Sequence, residues 1–359
     1  MMLSLLDRLI ARHVIHSTLL VLNVLVALAV FFVLIDALKD YGIAQFGLFE
    51  LLKYVVLRQP QQVYELSPIG ALIGTIMGLS TLALNSELTA MRAAGVSVAR
   101  IVIATLKVGL LFAVVILLVG EYIVPVSENM AQTGRARALE TPLQKKSTGI
   151  WLRSGTSFVN IGEVLPDFSL LRMNIYVFGQ DNRLRSQTAA QRARHDGDAW
   201  RLEGVTESLI VGQEAVQTRR VKQEVWHSVL TPDVVSVFAI RPESLSLQQL
   251  HYYIGHLQQN NQDTRNFRLA FWQKSFMPLA TLIMMLLATP FVFRQLRSGG
   301  LSQRVFIGIM LGLVFIIFHK SIGYFGALYA FPPMAAALLP ILLFFALAMY
   351  LLHRAARGI

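Results

Sequence analysis

The stretch VIHSTLLVLNVLVALAVFFVLIDAL, Val14–Leu38, decides the fold. A single formal charge, Asp36, interrupts it, and only near its end. A bilayer core about 30 Å thick takes roughly 20 helical residues, so this run predicts a membrane-spanning helix. Arg8 and Arg12 precede it, but the run is too long for the apolar part of a secretory signal and no A-x-A-like cleavage site follows. It reads as a permanent span. Outward from it, the same criterion picks out Pro60–Leu84, Ile101–Val124, Phe271–Phe293, Val305–Phe325 and Pro333–Leu352. Pro60 and Pro68 flank Glu65 early in the second span, Pro278 and Pro290 lie in the fourth, and Pro340 lies in the sixth. Prolines persist in spans where neighbours satisfy the carbonyls they free, and these positions are expected to break or kink their helices.

Composition agrees. Hydrophobic residues make up 55% of the 359 and charged residues 15%, against about 25% charged in ordinary soluble domains. The mean hydropathy is +0.55. With no cysteine, disulfides, thiolate metal sites and cysteine nucleophiles are excluded. The net charge of +11 would suggest nucleic acid in a soluble chain. Here much of it flanks apolar segments, where it sets orientation and meets anionic lipid, so no nucleic-acid partner is expected.

Arg8, Arg12, Arg92, Arg100, Arg294, Arg297, Arg304, Arg354 and Arg357 fall on one side of the spans. The short segment on the other side carries only Lys39, Lys53 and Arg58. The excess of cations marks the cytoplasm, which predicts both termini inside and the long polar insert outside, in the periplasm of a bacterium with two membranes. Three regions result: spans one to three in residues 1–124, the insert in 125–266, and spans four to six in 267–359.

The insert reads as β. Phe158–Val164, Arg172–Phe178, Arg183–Ala193, Ala199–Val205 and Val216–Trp226 are short runs separated by turn residues such as Pro166-Asp167, Gln180-Asp181-Asn182 and Asp196-Gly197-Asp198. Phe158 and Asn160 alternate with Val159 and Ile161, and Asn174 and Tyr176 with Ile175 and Val177. A sandwich or jelly roll is expected, followed by a helix over Leu245–Asn260.

Enzyme signatures are missing. There is no phosphate-binding loop, no H-E-x-x-H and no G-x-S-x-G elbow. Of the eight histidines, His251 and His256 are five apart and off a shared helical face, so neither catalytic nor metal residues are assigned. The segment Ser86-Glu87-Leu88-Thr89-Ala90-Met91-Arg92-Ala93-Ala94-Gly95 joins spans two and three. Ser86 suits an N-cap, Glu87 the first turn and Gly95 the residue after the last turn. A short helix exposing Glu87, Leu88, Met91 and Arg92 is expected. It is either a plain connector or a docking helix for a soluble partner.

Gly70, Gly74 and Gly78 in span two, and Gly308 and Gly312 in span five, would let neighbouring helices approach closely. Ionisable residues in or near the spans are Asp36, Lys39, Lys107, Glu121, Lys274, His319 and Lys320. Lys320, beside His319 well inside span five, is the intramembrane candidate for function, because charge at depth usually faces a cavity or a partner. Lys39, Glu121 and Lys274 lie nearer span ends, where snorkelling accounts for them. Arg135, Arg137 and Lys145-Lys146 follow span three as a cationic cluster suited either to lipid phosphate or to solvent.

Leu6-Asp7-Arg8-Leu9-Ile10, Asn85-Ser86-Glu87-Leu88 through Ala94-Gly95, Gly149-Ile150-Trp151 and Pro332-Pro333, in a frame of three spans, a β domain and three spans, resemble the LptF/LptG family of lipopolysaccharide-export permeases, nearer its LptG branch. The likeness covers essentially the whole chain. It implies a β-jelly-roll domain and a permease that works with an LptF-like permease, two LptB-like ATPase subunits and an LptC-like membrane protein. ATP and magnesium would sit on the ATPase, with no cofactor on this chain. The segment Ser86–Gly95 would be the coupling helix, with Glu87 meeting a basic ATPase surface. Lys39, Arg135 and Arg137 would meet the phosphorylated sugars of lipopolysaccharide. The chain departs from the family pattern in span one, where Val33 and Asp40 stand in place of basic residues. Two other classes compete: an ion-coupled transporter using Lys320, His319 and Asp36, and a scaffold whose spans only anchor the β domain. The first needs a relay of intramembrane acids, which is sparse here; the second needs fewer spans.

Overall fold

The computed structural model describes residues 5–139, 144–154, 157–164, 169–179, 181, 183–196, 199–211, 215–226, 242–259, 263–294, 300–328 and 331–356. Helix α1 runs Leu5–Leu38, α2 Leu48–Leu57, α3 Gln59–Leu84, α4 Glu87–Ala93, α5 Val98–Leu118 and α6 Val124–Ala138, the last two joined by a π-turn at Val119–Ile123. Strands β1 to β6 follow, and then α7 Leu247–Gln259, α8 Arg265–Arg294, α9 Leu301–Leu328 and α10 Pro333–Ala356. Among the described residues, six stretches are long and apolar enough to cross a membrane: Leu5–Leu38, Leu48–Leu84, Val98–Ala138, Arg265–Phe293, Leu301–Gly323 and Pro333–Ala355. Each contains most of one expected span.

The prolines do not break their helices, and several of the carbonyls they free find donors. Pro60 sits in the first turn of α3, where its missing N–H would have had no partner anyway. Pro68 withholds a bond from the Tyr64 carbonyl, and Ser67 Oγ donates to that oxygen at 2.9 Å. Pro278 frees the Lys274 carbonyl, and the Tyr64 hydroxyl donates to it across helices at 3.3 Å. Pro290 frees the Leu286 carbonyl, which accepts from Thr289 Oγ1 at 2.7 Å. Pro125 cannot donate to the Glu121 carbonyl, and the helix passes this point by widening. The Val124 N–H bonds the Val119 carbonyl five residues back. Span three therefore continues through the expected end at Val124 to Ala138.

The chain forms two compact units. The first holds residues up to 35, 58–126 and 265–359. Within it α3 and α8 are mostly buried, while α1 and α9 are mostly exposed. Glycines set the approach of α1 to α3. A Cβ at Gly74 would collide with the Thr18 backbone, and one at Gly78 would lie 2.9 Å from the His13 carbonyl oxygen. Gly308 and Gly312 admit Ile76 and Ile69 of α3 in the same way. Small residues thus permit the close packing that helices in lipid need, since lipid supplies no hydrophobic drive between them.

The second unit holds residues 36–57 and 127–264. Its sheet comprises β1 Gln144–Ser154, β2 Ser157–Val164, β3 Leu170–Phe178, β4 Leu184–Asp196, β5 Ala199–Val211 and β6 Ala215–Trp226, antiparallel in sequential order. The β domain expected between spans three and four is present, with β5 longer than expected and β1 additional. Alternation holds: Val159, Ile161 and Ile175 are buried with Leu152, Met173, Trp200, Leu202 and Val205 in one apolar core. On the other face Trp151 stacks on Tyr176 with ring centroids 5.7 Å apart. The expected helix after the insert starts at Leu247, where Ser246 Oγ accepts from the Gln249 N–H at 3.1 Å and Gln249 Oε1 accepts from the Ser246 N–H at 2.9 Å. That reciprocal pair is a capping box.

Candidate functional site

Helix α4 is held from below and closed at its far end. The expectation that Ser86 caps it through its side chain is overturned. Ser86 takes a left-handed backbone conformation, φ 61°, and makes no side-chain cap bond. The physical reason is the sharp turn out of α3, whose last residue is Leu84: Ser86 N–H bonds back to the Ala83 carbonyl, while its own carbonyl accepts the first helical bond from Ala90 at 2.9 Å. The C-terminus follows expectation. Gly95 has φ 86°, its N–H bonds the Arg92 carbonyl and the Val96 N–H bonds the Met91 carbonyl, both at 3.0 Å. Those two bonds form a Schellman motif.

Leu88, expected on the outer surface, is fully buried in a core with Ile10, Leu82, Ile101 and Met285. Met91 packs on the same core from its edge. Residues three apart share a helical face, so the two apolar side chains of this short helix point inward together. Arg92 is exposed, with its guanidinium carbon 5.9 Å from the Phe293 ring centroid of α8. Glu87 is half-buried, and Ser86, Thr89 and Gly95 are exposed. The helix therefore presents Thr89 and Arg92, with Glu87 at its rim, on a seat built from α1, α3, α5 and α8.

The same core contains Leu6 and Leu9 of α1, and between them Asp7 is buried. Lys107 Nζ approaches Asp7 Oδ2 at 2.7 Å and Arg100 Nη2 approaches Asp7 Oδ1 at 3.4 Å. A buried carboxylate needs such partners, and the pair locks the start of α1 to α5.

Elsewhere in this unit, Lys320 is 64% exposed and lies 4.0 Å from Glu65, whose other oxygen accepts from Gln61 Nε2 at 2.6 Å. His319 stacks on Phe315. Lys274, expected to snorkel, is instead 6% exposed, with Nζ 5.7 Å from the Tyr64 ring centroid. Packing of α8 against α3 encloses it. In the second unit, Lys39 pairs with Asp36 at 2.9 Å, and both are exposed. Arg135 is not an open cation: its Nε donates to Asp40 Oδ2 at 2.8 Å, its Nη1 to the Tyr54 hydroxyl at 3.1 Å, and Nη2 also reaches Asp40. Arg137 is exposed. Among the described residues no group of three or more histidines and carboxylates could hold a metal ion.

Residues 8–354 match the family of the lipopolysaccharide export system permease LptF/LptG. The chain belongs to that family. It is 33% identical over 352 residues to the lipopolysaccharide export system permease protein LptG of Escherichia coli (strain K12), covering 97% of this chain and 98% of the relative. To the protein of the same description from Haemophilus influenzae it is 32% identical over 356 residues, covering 98% and 99%. With six candidate spans, this LptF/LptG permease is a multi-pass inner-membrane protein.

Three features of the permease carry no signal in its sequence. The pairs Asp7–Lys107, Asp40–Arg135 and Tyr64–Lys274 join positions 100, 95 and 210 apart. No local spacing announces such pairs. Asp40, an acid where the resemblance implied a basic residue, has Arg135 as its partner. The burial of Leu88 has one available signal: with Met91 it makes an apolar stripe, and such a stripe on a helix beside a membrane core packs inward more readily than it waits for a partner.

Proposed function

We propose that this chain is the LptG-type permease subunit of an ATP-driven exporter that takes lipopolysaccharide from the inner membrane and passes it to a periplasmic bridge toward the outer membrane. The observation that carries the reading is the family match along nearly the whole length, residues 8–354. The chain has no phosphate-binding loop, so hydrolysis falls to a separate LptB-like ATPase in two copies, which hold the ATP and magnesium. An LptF-like permease and an LptC-like membrane protein complete the assembly. Helix α4 is the coupling element. A rigid seat under Leu88 and a closed C-terminus let a push on Glu87 or Arg92 pass into α1, α3, α5 and α8 without being absorbed by the loop.

Lipopolysaccharide carries phosphates, and the cations assigned to it are Lys39, Arg135 and Arg137 in the second unit and Lys320 in the first. Lys39 and Arg137 are the more exposed of the former. Arg135, fixed by Asp40 and Tyr54, offers a rigid guanidinium edge in place of a mobile charge. Lys320 and Glu65 form an ion pair at membrane depth that suits a polar cavity better than acyl chains.

The reading requires the cation-rich ends of the spans in the cytoplasm and the β domain in the periplasm. A lone cysteine introduced as Arg183→Cys, in the turn before β4, is expected to react with a membrane-impermeant maleimide in spheroplasts. Ser302→Cys, at the start of α9, is expected to react only after the membrane is opened. The reverse pattern contradicts the orientation and the coupling role with it.

A further inference from the structure

We propose that α2 is an interfacial helix that seats the outer end of the second span on the bilayer surface, burying the face made by Leu48, Phe49, Leu52 and Val56 among lipid acyl chains. Leu48, Leu52 and Val56 are spaced i, i+4, i+8 and Phe49 is adjacent, so the four share one side of the helix. They are 61%, 52%, 67% and 75% exposed, in that order. An adjoining side, Leu51, Tyr54 and Val55, is buried, and the Tyr54 hydroxyl accepts the hydrogen bond from Arg135. Lys53, paired with Glu50 at 3.7 Å, occupies the remaining edge. The helix is therefore apolar on two sides, and only one of them is covered by the protein.

The span does not need α2 to cross. Helix α3 alone has 26 residues, which is about 39 Å at 1.5 Å per residue and exceeds a hydrocarbon core of about 30 Å. Leu48–Leu57 is apolar in its own right, and the polar stretch Arg58-Gln59-Pro60-Gln61-Gln62 divides it from the rest of the span. An apolar helix beyond the required length, tethered by Arg58 to one span and by residues 39–47 to the other, is confined to the membrane surface. An amphipathic helix so placed lies in the interface with its apolar face among the upper acyl chains. Lys53 beside that face can extend to lipid phosphates. The exposed face offers no hydrogen-bonding group and none of the Trp, Tyr or Arg anchors that concentrate binding energy between proteins, which favours lipid over a protein partner.

This chain has no cysteine, so a single introduced cysteine is its only labelling site, and the partner chains are used in cysteine-free form. Nitroxide labels at Phe49→Cys, Leu52→Cys, Val56→Cys and Lys53→Cys would be compared in the complete complex, in nanodiscs of phosphatidylethanolamine and phosphatidylglycerol. Power saturation with molecular oxygen and with a water-soluble nickel chelate reads lipid against water. The expected result is an oxygen-to-nickel accessibility ratio several-fold higher at the first three positions than at Lys53→Cys. Equal, high nickel accessibility at all four would overturn the proposal in favour of a solvated helix. Protection of the first three from both agents would overturn it in favour of a protein partner. All four side chains are exposed, so any one variant that expresses poorly leaves the others to decide.

Discussion

Glu87→Lys is expected to weaken the hold of the ATPase on this permease and to break the link between hydrolysis and lipid release. A carboxylate facing a basic surface makes a charge-assisted contact worth about 1.5–3 kcal/mol. At 1.4 kcal/mol per factor of ten, losing it weakens association by roughly 10- to 150-fold. A lysine adds repulsion to that loss, so Glu87→Lys should exceed Glu87→Ala. Glu87 is only half-buried and lies at the rim of α4, so neither change disturbs the seat beneath the helix. Both variants should therefore express and pair with the second permease normally. Pull-down of the ATPase and lipopolysaccharide-stimulated hydrolysis are the readouts. An acid introduced at the facing position of the ATPase should recover part of what Glu87→Lys loses. Normal export with the ATPase fully bound would reduce α4 to a connector.

Leu88 tests the other side of the same helix. It is fully buried in the core it shares with Ile10, Leu82, Ile101 and Met285. Removing a buried leucine side chain costs about 2–5 kcal/mol through lost transfer energy and the cavity left behind. Leu88→Ala is expected to lower the thermal midpoint of the purified protein and to reduce the lipid released per ATP, because α4 would then rock on its seat. Thr89→Ala, one residue along and exposed, should leave both unchanged. If Leu88→Ala matches the unsubstituted chain in stability and coupling, the seat plays no part in transmission.

The spans are legible in the sequence because an unbroken apolar run of roughly 20 residues matches the thickness of a bilayer core and is too long for an ordinary buried helix. Val14–Leu38 alone is enough to set the class of fold. The ends of the spans are less legible. Helix α1 already covers Leu5 to His13, ahead of the expected span, and Asp7, to the eye part of a polar lead-in, is buried by Lys107 and Arg100 from a distant segment. Helix α2 is hidden in the short segment from Lys39 to Arg58: ten residues are too few for a span, and its apolar surface resembles ordinary loop hydrophobicity. Strand β1 is obscured because Gln144–Thr148 is polar, and its pairing with β2 shifts register between Lys145 and Ile150. At the candidate site, Gly95 is readable because a left-handed position favours glycine, and φ there is 86°. Ser86 misleads because a residue type suited to capping says nothing about whether the incoming chain gives it the right backbone angles. The cations near the membrane are readable as charges but not as pairs. Asp40 turns Arg135 from a free charge into an oriented one, and Glu65 stands 4.0 Å from Lys320.

On the proposed function, this permease moves lipopolysaccharide only when a separate ATPase acts on it. The most direct measurement is release of lipopolysaccharide from proteoliposomes to a soluble periplasmic acceptor, with this chain reconstituted alone and with its co-purifying partners. No hydrolysis and no release are expected from the chain alone. From the complete assembly, release is expected that requires ATP and magnesium and stops when the ATPase subunit is inactivated. Release driven by an ion gradient without ATP, or ATP hydrolysis by the isolated chain, would contradict the proposed function.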